Sequence, residues 1–214
     1  MESRTDRTRR ALVRFALVAA ASVAAASLWA QGAAEPGLLL DAHGWRDEVA
    51  TAATGPWPAN GWYRLAPRER EVDVRPVRPT DRVADPSGDE LYVRLPGATL
   101  ASGPRPAVVY PEVLQLPRMG VDHALALGDT RFTLRTDYVD QGIAYTIAYG
   151  GESYRYVLGR PGADHTVVRA VADVDGDRRP DFVVDVDDTV YLLLSTQARP
   201  GTNGPTAHFV EQGC

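Results

Sequence analysis

Four aspartates, Asp173, Asp175, Asp177 and Asp181, fall within the segment Ala172 to Val184, ADVDGDRRPDFVV. They occupy loop positions one, three, five and nine, a spacing that turns alternate side chains of a tightly curled segment toward one centre while those between point away. That many carboxylate oxygens suit a hard divalent cation, which takes about six to eight oxygen ligands, so the pattern predicts calcium. The backbone carbonyl of Arg179, at position seven, is the expected fifth donor. Water or the second oxygen of Asp181 would complete the shell. The competing reading of the same residues is an acidic, solvated turn between two strands, with Arg178 and Arg179 as local counter-charges.

The loop resembles the calcium loops of FG-GAP and VCBS-type repeats, in which D-x-D-G-D leads into an apolar strand. Gly176 sits where that family has Gly or Asn, and Pro180-Asp181-Phe182 follows its habit of closing the loop with Asp and a large apolar residue. Arg178 departs from it. The sixth position favours a backbone conformation that Gly reaches without strain, so the departure at Arg178 bears on the affinity for the ion more than on the existence of the site. The likeness is confined to this loop. D-x-D-G-D occurs once, in a chain too short to supply the blades of a propeller, so the resemblance implies a calcium loop and not a propeller fold.

Such a loop needs strands to hold it. Thr166 to Ala172 reads as the strand that enters it, and Phe182 to Val186 with Val190 to Leu194 as a hairpin turning at Asp187-Asp188. The loop then sits at a sheet's rim, where a cation would neutralise carboxylates that repel one another and pin two strands together. Upstream, Phe132, Leu134 and Tyr138 alternate with polar residues, as do Ile143, Tyr145, Ile147 and Tyr149, and then Tyr154, Tyr156 and Leu158. Period two means strands. Gly128-Asp129, Asp140-Gln141-Gly142 and Gly150-Gly151 separate them, which gives an antiparallel meander between His123 and Gly159. The tyrosines could form a sugar-stacking platform. Because the opposite face carries Arg135, Asp137 and Arg155, the aromatic face reads instead as core.

Before the meander, Leu91 to Leu95 and Ala107 to Leu116 read as strands on either side of the Gly/Pro-rich Pro96 to Pro106, with Pro111 and Pro117 keeping the second at an edge or interrupting it. Leu38, Ala42, Trp45, Val49 and Ala52 share one face of a short helix. Asn60-Gly61 is a hairpin turn with strands on both sides. Trp45, Trp57 and Trp62 anchor a small core or, alternatively, line a ligand groove. The fold expected is mainly β, a sandwich or open barrel with a small mixed N-terminal segment packed on it. A Pro-rich loop from Pro76 to Asp89 divides the mixed segment, residues 35–88, from a β domain at residues 89–214.

Residues 1–34 read as an export signal, with Arg7, Arg9 and Arg10 before an apolar run from Phe15 to Ala30 and small residues after it. The run is short of the ~20 residues of a membrane span, so cleavage is expected and an uncleaved anchor is the runner-up. Thr8 to Arg14 resembles the twin-arginine signal, with an ordinary basic leader as the alternative. The protein is therefore expected in the periplasm or outside the cell, off the membrane after cleavage. Its single cysteine, Cys214, excludes an intrachain disulfide and leaves a thiol that could link two copies.

Of the 23 basic residues, all arginine, five lie in the first 14 residues with two of the 28 acids, leaving 18 against 26. So acidic a body argues against a nucleic-acid partner. No G-x-S-x-G elbow or phosphate-cradling glycine loop occurs, and His43, His123, His165 and His208 show no zinc-ligand spacing. Glu112 has no evident partner carboxylate for glycoside hydrolysis. No residue is assigned a catalytic role. The leading expectation is an exported calcium-binding β-domain with a structural or interaction role toward a protein or glycan. The alternatives are a carbohydrate-binding module and a hydrolase with a structural calcium.

Overall fold

The computed structural model describes residues 37–50, 57–81, 89–109 and 118–210. The expected leader at 1–34, Glu112, Pro111, Pro117 and Cys214 lie outside the described residues. Among the described residues, fourteen strands make two sheets. The first is a closed barrel in the order β1-β14-β12-β11-β10-β5-β3-β2-β4. Its members are β1 (Gly37–Asp41), β2 (Trp62–Arg68), β3 (Glu71–Val77), β4 (Leu91–Arg94), β5 (Gly103–Val109), β10 (Thr166–Ala172), β11 (Asp181–Val186), β12 (Thr189–Leu193) and β14 (Ala207–Val210). Strand β1 closes it, antiparallel to β4 on one side and parallel to β14 on the other.

The second sheet has the order β13-β9-β8-β7-β6, from β6 (Asp122–Leu127), β7 (Thr130–Val139), β8 (Gly142–Tyr149), β9 (Glu152–Leu158) and β13 (Gly201–Asn203). Its first four strands are the meander read from period-two alternation, with the turns at the predicted glycines. Tyr145, Tyr154 and Tyr156 are buried, so the aromatic face is core and the stacking platform is withdrawn.

Strands β10 to β12 belong to both hydrophobic layers. Phe182, Val184 and Val186 join Phe132, Leu134 and Tyr145 of the second sheet, while Val183, Val190 and Leu192 project among Leu65, Val74 and Val93 of the barrel interior. Burial on both faces explains why these strands read as nearly unbroken apolar runs. Phe132 meets Phe182 edge-on, with ring centroids 5.6 Å apart. That contact ties the meander to the strand leaving the acidic loop.

Three expectations change in detail. Leu38 lies in β1, and the helix starts only at Ala42 because Asp41 caps it, Oδ1 accepting from Gly44 N–H at 2.6 Å. Helix α1 (Ala42–Gly44) continues as a π-helical stretch, Trp45–Ala50. It lays Trp45 and Val49 against Trp62 and Tyr92 on the barrel, Trp45 stacking on Tyr92 at 4.6 Å. The tryptophans are thus core anchors. Second, Gly61 does adopt positive φ, but only β2 flanks it; the hairpin is β2/β3, turning at residues 69 and 70. Third, β5 begins at Gly103 and runs through two prolines in the barrel's interior order. Ala107 N–H points to Arg70 on the β3 side, so the nitrogens of Pro104 and Pro106 face the other neighbour. There β10 has already ended, its last partner on β5 being Ala107, and no ladder bond is lost.

Candidate metal centre

The acidic loop spans the gap between Ala172, the last residue of β10, and Asp181, the first of β11, which are register partners. The chain must therefore leave and return to the same place within eight residues. Two left-handed residues make that possible, Gly176 at φ 83° and Arg178 at φ 66°. A Cβ on Gly176 would stand 2.8 Å from the Ala101 Cβ, so glycine is required there twice over. Arg178 adopts the conformation for which the resembling family uses glycine, and its side chain is exposed.

The curl is fixed by the aspartates themselves. Asp173 Oδ1 accepts from Arg178 N–H at 3.1 Å, Asp175 Oδ1 from Asp177 N–H at 3.3 Å, and Asp177 Oδ1 from Arg179 N–H at 2.8 Å. These bonds turn the three carboxyls inward, and one oxygen of each lies within 4.8 Å of the others. Two oxygens on opposite sides of a calcium ion are at most ~5 Å apart, so this spacing fits a common centre. At that distance an effective dielectric near 20 gives roughly 3 kcal/mol of repulsion per charged pair, which a cation would reverse. The Asp175 carboxyl is pushed up by burial and by neighbouring Asp177, against the lowering effect of a hydroxyl bond from Thr196.

Asp181 does something else. Its Oδ2 accepts Val174 N–H at 2.8 Å and Asp175 N–H at 3.4 Å, and its Oδ1 accepts Ser195 N–H at 2.7 Å. It is 1% exposed and stands apart from the group of three. Burial holds its carboxyl well above the usual range, opposed by those bonds. Oδ2 spends both of its lone pairs on backbone amides, so it is Oδ1, with one accepted bond, that would fasten the loop and still face a cation. Arg179 supplies the amide to Asp177 and brings its guanidinium Nε to 3.8 Å from Asp177 Oδ2.

Two residues at the rim were not singled out as site residues. Ser195 Oγ donates to Asp177 Oδ2 at 3.0 Å and Thr196 Oγ1 to Asp175 Oδ2 at 2.6 Å, from the short 3-10 turn Ser195–Gln197. The signal was in the hairpin register. Phe182 opposes Leu193, so the residues just past β12 must lie over the loop that precedes β11. From the second sheet, Thr130 Oγ1 donates to the Arg178 carbonyl at 2.8 Å. The loop is thus tied to β10, β11, the turn after β12 and the meander. At the far end of the β10/β11 pair, the backbone N–H groups of Asp164 and His165 both donate to Asp187 Oδ1.

No protein-family model, curated protein or solved structure matches the chain.

Proposed function

We propose that this chain is an exported β-domain protein in which the loop from Asp173 to Asp181 binds calcium, the ion serving to fasten the structure. The observation that carries the reading is the convergence of Asp173, Asp175 and Asp177 within 4.8 Å on a loop whose backbone is already wound for it. In this reading the Arg179 carbonyl and Asp181 are the further oxygen donors that the spacing predicts, Asp181 from outside the group of three. Hard oxygen donors in this number suit calcium better than zinc, which prefers nitrogen and sulfur. Export rests on the basic and apolar pattern of residues 1–34. The domain's role is structural or one of interaction, with a protein or glycan as partner.

Calcium titrated calorimetrically into chelator-treated protein is the test. A single binding event that disappears in Asp173→Asn and Asp175→Asn supports the reading. Heat no larger than buffer dilution, together with a melting temperature indifferent to calcium and chelator, would discard it.

A further inference from the structure

The barrel interior is not filled. A cavity of about 330 Å³ lies inside it, walled mainly by Leu65, Val72, Leu91, Ala170, Ala172 and Leu192. Protein cores close voids of this size, because unfilled space forfeits dispersion contacts on every side. Here the space comes from the entering strand. Opposite Val183 and Leu192, strand β10 presents Ala170 and Ala172, and methyl groups stand where larger side chains would meet their neighbours.

The cavity has two different ends. Toward the acidic loop it is floored by Val174, 2% exposed, and by Asp181, whose oxygens are engaged with three backbone amides. At the other end stand Asp89, Arg169 and Asp185. Arg169 is there because the β10/β11 register slips between Val168 and Ala170. In a regular strand neighbouring residues face opposite ways, yet Arg169 and Ala170 both line the barrel, and a bulge is the device that re-aims a side chain in this manner. Its Nε donates to Asp185 Oδ2 at 2.6 Å, so the two charges compensate each other at this end of the chamber, where the Arg169 side chain is 30% exposed. Apolar walls impose a desolvation cost on any charged guest, and an end that holds two carboxylates to one guanidinium repels an anion in particular. It offers hydrocarbon contact along its length and hydrogen-bonding groups at one end.

We infer that the barrel interior is a binding site for a small, uncharged, mainly hydrocarbon molecule with one polar end, which lies against Ala170 and Ala172 and directs that end toward Arg169 and Asp185. Size follows from volume. A dry void of ~150 Å³ accepts one benzene, so this chamber suits a guest of about two to three rings or a medium-length aliphatic chain. Barrels of comparable strand number hold single small ligands in this way. The inference goes beyond the calcium reading: Asp181, on the floor, is shared with the proposed ion site, but Ala170, Ala172, Arg169 and Asp185, which carry the inference, are not proposed ligands of the ion.

The test is a fluorescence titration of the purified protein with N-phenyl-1-naphthylamine, an uncharged aromatic amine that brightens in apolar surroundings, in calcium and in chelator. Saturable one-to-one binding and a raised melting temperature are expected. Ala170→Leu and Ala172→Leu, which fill the chamber, should each weaken binding at least tenfold while the circular dichroism spectrum and melting temperature hold. Ala124→Glu, on an exposed shallow groove of the second sheet, should leave binding unchanged. The inference is overturned by emission that does not saturate and does not raise the melting temperature, by equal binding in a folded filling variant, or by binding that Ala124→Glu abolishes. Should both filling variants unfold, the wild-type stoichiometry, the melting shift and the Ala124→Glu result still decide it.

Discussion

Asp181 Oδ1 accepts the backbone N–H of Ser195 at 2.7 Å, joining the first residue of β11 to the turn that follows β12. With Oδ2 on Val174 and Asp175, a single buried carboxylate closes the end of the barrel beneath the acidic loop. The aspartate that sequence spacing offers as a ninth-position ligand is therefore also the bracket that holds the loop to its strands.

Replacing that bracket should cost stability whether or not calcium is present. Asp181→Ala strands three N–H groups, at about 1–3 kcal/mol for each left buried without an acceptor. Removing a desolvated carboxylate returns part of this, so the expected net loss is about 3 kcal/mol. Urea denaturation in excess chelator measures it. A loss below ~1 kcal/mol would show that water replaces the carboxylate easily.

Asp175 separates ligation from fastening. It is half-buried, and its partners Asp177 N–H and Thr196 Oγ1 both lie at the rim. Asp175→Ala should cost less than ~1 kcal/mol in chelator, yet lose the calcium response. For the unaltered protein, calcium at 100 times its Kd adds about 2.7 kcal/mol, or roughly 5–10 °C in melting temperature for a domain of this size. Thermal denaturation of both proteins with and without calcium provides the comparison, and an equal shift in the two would remove Asp175 from the site.

The loop's two left-handed residues should respond in opposite directions. Gly176→Ala adds a Cβ at φ 83° and 2.8 Å from the Ala101 Cβ, and should destabilise by about 2 kcal/mol. Arg178→Gly relieves about 1–2 kcal/mol of backbone strain but frees the unfolded chain, for a net gain near 0.5 kcal/mol. The Thr130 bond survives it, because the acceptor is the residue-178 carbonyl. Denaturant midpoints of the two variants give both signs directly.

Much of this architecture was legible because it is local. Alternation at Phe132, Leu134 and the tyrosines specifies strands, and glycines at 128, 142, 150 and 151 specify where they turn, so the meander follows from neighbours in sequence. The convergence of Asp173, Asp175 and Asp177 was readable for the same reason, since Asx-type bonds within a few residues set it. Closure of the barrel was not. It depends on β1 lying between β4 and β14, a pairing that joins the two ends of the described chain and leaves no periodic trace. Nor could spacing reveal that Asp181 turns to Ser195, because hydrogen-bond donors on another strand decide it. The bulge at Arg169 hides equally well, since one slipped residue changes which side chains face inward without altering composition.

Alkaline pH should unfold the protein through its buried phenols. Tyr156 is 3% exposed, and burial followed by the nearby Asp181 charge pushes it up to about 12. Burial likewise raises Tyr92 to about 12, and Tyr145 and Tyr149 higher. A group whose folded value lies above its unfolded one keeps its stabilising contribution below the unfolded value, near 10, and loses it as pH rises through the folded value. Stability is therefore unaffected by these groups up to about pH 10, then falls by about 1.4 kcal/mol per pH unit for Tyr156 alone until about pH 12. Phenolate absorbance and circular dichroism followed together should change in one step in that interval. Tyr156→Phe removes one titrating group from the linked set and should move the midpoint to higher pH. Phenolate appearing well before the dichroism changes would mean that these rings ionise within the folded barrel and meander, and that burial does not hold their protons.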